Sequence, residues 1–220
     1  MKGGTAMKKW ALKKQYYLDN EELKKFRTYW EAMKELALKK GCTRHVKTWM
    51  LAEFALSTGL RAFEMCNVAI GDLVLKGDYP QVTVQKGKGN VRNKQVFIST
   101  QLAKDLKWYL NYKKTTLDEP IGSEDYLLVT ETKHRQTPQG LYYMWRNACV
   151  QSGIGKFKLH SSRHTYATQL YKKTKNLRLV QKQLRHASIE TTQVYADVMP
   201  EDIMAGVNDL YRGNALGNTI

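Results

Sequence analysis

The sequence predicts an α+β domain that is predominantly helical and carries one small three-stranded antiparallel sheet. Three observations support this. Apolar residues recur at helical spacing over most of the chain, as in Leu23, Phe26, Trp30, Met33 and Leu36. The period shortens to that of strands in one window only, residues 73–98, LVLKGDYPQVTVQKGKGNVRNKQVFI. A chain of 220 residues with 42% apolar content can also bury one sizeable core.

Each element follows from local chemistry. Residues 1–18, MKGGTAMKKWALKKQYYL, are basic with two glycines and read as an arm rather than a folded unit. Asp19 or Asn20 can cap a helix that runs to Lys40 and stops at Gly41. A second helix is expected over 45–58, ending at Gly59, with a short one after Arg61. KGDYP and KGKGN are the turns that divide 73–98 into three strands. Helices resume over 99–116, and Thr137–Pro138 offers a hydroxyl cap followed by proline at the first helical position. The remainder reads as helices over 161–173, 177–185 and 188–198, with a tail helix over 200–212 after Pro200. No heptad seam, internal repeat or low-complexity linker interrupts this order.

Composition narrows the function. The longest apolar run, 49–56, is eight residues long and already contains Glu53, which excludes a membrane-spanning helix of about 20 residues. The three cysteines, Cys42, Cys66 and Cys149, are odd in number and widely spaced, which fits free thiols in a reducing cytoplasm. Thirty-six Lys and Arg against twenty Asp and Glu leave a net charge of +16, the signature of a polyanion partner. Residues 132–189 form a stretch of 58 without one acid, yet twelve of them are Lys or Arg. A second acid-free window, 79–104, holds Lys86, Lys88, Arg92, Lys94 and Lys104. Such windows favour a nucleic-acid face, with Lys86, Arg92, Lys94, Lys156, Lys158 and Arg185 as candidate phosphate contacts.

The densest chemistry lies in 158–168, KLHSSRHTYAT. His160 and His164 share a helix face, as zinc ligands would, but Arg163 lies between them and repels a dication, so no metal is expected. A phosphate explains more of these residues. A helix starting near Ser161 aims its positive end at an anion, and the planar fork of Arg163 suits phosphate. His164, one position after Arg163, is rotated away by about 100° and reads as a buried, hydrogen-bonded structural histidine.

KLHSSRHTYATQL followed by QLRHASIETTQVYADV resembles the C-terminal signature of the tyrosine recombinases, the phage integrase family. That signature is H-x-x-R-H, then a helix and a Gly-His pair, with a tyrosine nine residues beyond the second histidine. His160 and Arg163 match the first part, His186 the second, and Tyr195 the last. STGLRAFEM resembles the family's first arginine box and puts Arg61 and Glu64 in register with it, while KGKGN resembles the hairpin that carries a lysine, here Lys88. YLDNEELKKF resembles the start of the family's catalytic domain.

The resemblance implies the tyrosine-recombinase catalytic-domain fold over 19–220 and an enzyme that breaks and rejoins DNA through a 3′-phosphotyrosyl intermediate. It implies Tyr195 as nucleophile, with Arg61 and Arg163 holding the phosphate oxygens. His160 would assist proton transfer, His186 would support the phosphate, Lys88 would protonate the leaving oxygen, and Glu64 would orient its neighbours. It further implies double-stranded DNA as partner, a tetramer on DNA with a monomer or weak associate when free, a mobile-element setting, and no cofactor, metal or ATP. Two alternatives stand beside this, a type IB topoisomerase-like nicking and closing enzyme and a non-catalytic DNA-binding relative.

The match departs from the pattern in two places. Arg185 replaces the glycine before His186. Only 18 residues precede the matched region, so the helical core-binding domain that family members carry there is expected to be absent, in a catalytic-domain fragment or a naturally reduced form.

Overall fold

The computed structural model describes residues 14–85, 94–186 and 190–195. Most of the basic arm, the KGKGN turn with Lys86, Lys88 and Arg92, and the expected tail helix over 200–212 lie outside the described residues.

The elements follow the expected order. A 3-10 turn, Lys14–Tyr16, leads into α1 (Asn20–Lys40). Asp19 and Glu22 cap each other's backbone N–H groups at its start, and Gly41 closes it in the left-handed conformation (φ 70°). Next come α2 (Thr43–Thr58) and α3 (Ala62–Cys66), then β1 (Leu73–Val74), β2 (Gln81–Val84) and β3 (Lys94–Phe97). Then follow α4 (Thr100–Thr115), α5 (Pro138–Gln151), α6 (Leu159–Thr174), α7 (Leu177–Leu184) and a single turn, α8 (Glu190–Gln193). The sheet is antiparallel in the order β1-β2-β3, with Leu73 opposite Val82 and Val82 opposite Val96. Alternation turns Val82, Val84 and Val96 into the core.

Three boundaries differ from the sequence reading. Helix α2 begins two residues early, capped by backbone alone at Cys42. Helix α6 also begins two residues early, because the turn rotates apolar Leu159 into the core, and this draws His160 into the first helical turn. Of the helix expected over 188–198, the described part is helical only over Glu190–Gln193 and passes into a turn at Tyr195.

The core gathers around α2, most of whose length is buried. On one side α1 and α5 close over it through Phe26 and Trp145, ring centroids 5.1 Å apart, and the Trp30 indole donates to the Ala148 carbonyl at 3.3 Å. On another side α6 packs against α2, and the Leu18 N–H donates to Thr165 Oγ1 at 2.8 Å, tying the chain's entry to α6. A smaller apolar cluster, Ala167, Val180, Leu184 and Tyr195, joins α6 and α7 to the last described turn. None of the helices among the described residues is long and apolar enough to cross a membrane. Cys42, Cys66 and Cys149 are all free thiols.

The long connection from α4 to α5 braces α3. Ala69 bridges to Tyr126, and Arg135 donates to the Asn67 side chain at 2.7 Å. A buried ion triad anchors this connection: Glu119 takes Lys47 at 2.8 Å on one oxygen and Lys113 at 2.6 Å on the other. Burial lowers the Lys113 pKa and the Glu119 charge opposes it. Glu119→Ala strands two buried ammonium groups, so it is expected to cost about 3–5 kcal/mol in urea denaturation. Lys133→Ala, which breaks the exposed pair with Asp118, is expected to cost less than about 1 kcal/mol.

Candidate active site

Glycine at position 59 comes first in building the site. It ends α2 at φ 61°, and a Cβ there would lie 2.6 Å from Tyr166 Cδ1 and 2.9 Å from Leu184 Cδ2. Both the backbone conformation and the close approach of α6 and α7 therefore demand glycine. Its carbonyl turns into the protein, where it accepts from Arg163 Nη1.

Arg163 lies one turn into α6 and is 1% exposed. Its Nη2 donates to the Leu184 carbonyl at 2.7 Å, at the end of α7. One planar fork thus spans the C-terminal ends of two helices, where orphan carbonyls collect negative partial charge. Burial and the neighbouring Arg61 lower the Arg163 pKa to about 9, so the group remains cationic at neutral pH.

Arg61 enters from the α2–α3 turn. As N-cap of α3 it has an extended backbone; its N–H donates to Glu64 Oε2 at 2.8 Å and its Nη1 to Glu64 Oε1 at 3.2 Å. The Arg61 side chain stays 35% exposed, whereas Glu64 is buried. Arg185 approaches the same carboxylate from the end of α7, with Nη2 2.6 Å from Glu64 Oε2.

Helix α6 carries two imidazoles on one face. The rings of His160 and His164 meet edge to face, centroids 4.6 Å apart. His164 Nδ1 lies 3.1 Å from the Tyr195 hydroxyl, and His186 Nδ1 lies 2.9 Å from Thr192 Oγ1. Burial pushes the Tyr195 phenol up to about 12, against the pull of Arg163 and Arg61. Burial, then His160, Arg163 and His186, push His164 down to about 3. Burial and the surrounding arginines push His186 down to about 4, and desolvation with Arg163 and Arg61 lowers His160. All three imidazoles are neutral at pH 7, and the positive charge of the site resides on its guanidiniums.

The structure brings Arg61, Glu64, His160, Arg163, His186 and Tyr195 together from four segments. Lys156 and Lys158 are exposed on the approach to α6. Lys94 is exposed on β3 and lines a groove with Phe97, Leu179 and Lys182. Arg185 departs from expectation: its side chain is 2% exposed and paired with Glu64, so it lies inside the site rather than on an open phosphate-binding surface. His164, expected to be buried and hydrogen-bonded, is half-buried, and its hydrogen-bond partner is the Tyr195 hydroxyl. The four-residue spacing from His160 puts both rings on one face. Among the described residues no three His, Cys, Asp or Glu side chains converge as metal ligands would.

The phage integrase family model matches residues 17–202. The tyrosine recombinase XerD of Oceanobacillus iheyensis is 31% identical over 178 residues, 80% of this chain and 57% of the relative. The chain spans about half the length of the curated relatives it matches. It superposes on the XerH site-specific recombinase in its post-cleavage difH complex with TM-score 0.71 and 24% identity, covering 89% of this chain and 53% of that one. The pre-cleavage difH complex of XerH gives TM-score 0.66 and 26% identity, covering 82% and 50%.

The neutral histidines make stability depend on pH. His164 and His186 have folded pKa values below the ordinary 6.5, so the unfolded chain binds more protons in mild acid. Their contribution is complete above about pH 6.5 and is lost as pH falls toward about 4. The thermal midpoint is expected to drop between pH 7 and 5, and to drop less in His164→Phe, as calorimetry across that range would record.

Proposed function

Since this chain belongs to the phage integrase family, the tyrosine recombinases, we propose that it cuts and rejoins double-stranded DNA through a 3′-phosphotyrosyl intermediate formed at Tyr195. The observation that carries this reading is the convergence of a tyrosine hydroxyl, neutral imidazoles and the guanidiniums of Arg61 and Arg163 around one small volume. The XerH structures with which it shares its fold hold difH DNA, and the net charge of +16 suits the same class of partner.

The reaction runs as an in-line displacement. The Tyr195 oxygen forms a bond to the scissile phosphorus while the bond to the 5′-oxygen breaks. The phenolic proton is transferred to the imidazole side of the site, where His160 assists. Arg61 and Arg163 hold the non-bridging oxygens and stabilise the extra negative charge of the pentavalent state. Their charge also opposes the burial that raises the phenol's pKa. His186 supports the phosphate by hydrogen bonding, and Lys88 delivers a proton to the departing 5′-oxygen. Glu64 orients Arg61. The phosphotyrosyl ester keeps the bond energy, so religation needs no nucleotide, and the guanidiniums supply the charge that a metal would otherwise bring. Lys94, Lys156 and Lys158, all exposed, extend the basic face along the duplex, and the sequence offers Lys86 and Arg92 as further phosphate contacts. A tetramer on DNA and a mobile-element setting complete the reading; Lys94 and Lys182 mark one basic flank of the approach.

The test is a covalent adduct. Incubation with duplexes nicked beside the scissile phosphate, quenched in detergent, is expected to yield protein-linked DNA that disappears in Tyr195→Phe. Arg61→Ala is expected to slow its formation by about 100- to 1,000-fold. An adduct that persists in Tyr195→Phe assigns the nucleophile elsewhere, and relaxation of plasmid without strand exchange would favour a topoisomerase-like enzyme.

A further inference from the structure

Arg185 stands where the family pattern has glycine, and its backbone shows why glycine suits the position. It closes α7 at φ 56° and ψ 37°, in the left-handed region. A side chain there is strained, because its Cβ crowds the following carbonyl oxygen. Retaining one under that strain calls for a reason in what the side chain touches.

It touches Glu64. The two side chains are 2% and 3% exposed and their charged atoms lie 2.6 Å apart. Arg185 Nη1 also donates to the Gln183 carbonyl at 3.2 Å, which fixes the fork. Glu64 Oε2 is therefore shared between Arg185 and the Arg61 N–H, while Oε1 takes the longer 3.2 Å bond from Arg61 Nη1. With glycine at 185, the whole carboxylate charge would fall on Arg61 and draw its half-exposed guanidinium inward. With arginine there, Arg61 and Arg185 both hold Glu64 while Arg163 lies beside them, so three guanidiniums share the site with one carboxylate and two net positive charges remain. A phosphodiester carries one negative charge and its pentavalent state two, so the added charge favours the transition state over the ground state.

We propose that Arg185 is a positioning residue: by sharing Glu64, it weakens the carboxylate's hold on the Arg61 guanidinium and lets it face the scissile phosphate. This rests on the reading that Tyr195 attacks a DNA phosphate. With its side chain 2% exposed and paired with Glu64, Arg185 acts through that carboxylate rather than on the duplex.

Single-turnover adduct formation on a nicked duplex, measured beside DNA affinity for Arg185→Gly, Arg185→Lys and Arg185→Gly/Glu64→Gln, tests it. Arg185→Gly is expected to slow the adduct about 10- to 100-fold while DNA affinity stays within about threefold. Arg185→Lys keeps a charge on Glu64 and is expected to fall between Arg185→Gly and wild type. In the double variant no carboxylate claims Arg61, so the rate is expected to rise about tenfold above Arg185→Gly, although a second buried polar group has been altered. A merely structural role would make the double variant slower still, and that result overturns the inference. So does an unchanged rate in Arg185→Gly, or a loss of rate matched by an equal loss of affinity. Wild type forming no tyrosyl adduct would instead overturn the assignment of Tyr195, and this inference with it.

Discussion

The guanidinium of Arg163 is the constraint on which the rest of the site depends. Burying a cation costs several kcal/mol unless its N–H groups find acceptors. Here the acceptors are the Gly59 and Leu184 carbonyls, each at the end of a helix whose dipole already favours positive charge. Satisfying Arg163 therefore fixes where α2 stops, where α7 stops, and how α6 lies between them. The chain leaving α2 must then place Arg61 two residues later, and the chain leaving α7 must place Arg185 and His186 at once. The contacts that end α2 and α7 therefore also position the site.

The remaining groups inherit this geometry. Glu64 is pinned between Arg61 and Arg185, and α3 beneath it is braced by the loop that the Lys47–Glu119–Lys113 triad holds down. Tyr195 reaches the site through a small apolar cluster on α6 and α7, with its hydroxyl on His164. Charge is divided accordingly, with the cations on the guanidiniums of Arg61, Arg163 and Arg185 and a neutral imidazole, His164, at the phenol.

Much of this was legible in the sequence. The Asp19 cap, Gly41 and Gly59 marked helix ends because each satisfies a local requirement that composition displays. The strand window stood out because its period changed. His160, Arg163, His186 and Tyr195 were legible as a set because their spacing matches one family. What escaped was tertiary. Arg185 read as a surface phosphate contact because nothing in a one-dimensional charge count shows Glu64, 121 residues earlier, meeting it. His164 reads as a buried, hydrogen-bonded structural histidine, and its hydrogen bond falls on the Tyr195 hydroxyl, a partner 31 residues away that helical spacing does not show. Helix α6 starts early because the burial of Leu159 overrides the hydroxyl caps that follow it.

The central claim, that one buried fork both organises the fold and holds the phosphate, is tested most directly by Arg163→Lys. An ammonium keeps the charge but cannot span the Gly59 and Leu184 carbonyls with the same planar geometry. Thermal midpoint and adduct formation measured on the same preparation should both fall, the stability loss amounting to about 1–3 kcal/mol for the carbonyl left unsatisfied. A variant that keeps its wild-type midpoint, or one that forms the adduct at the wild-type rate, would contradict the account.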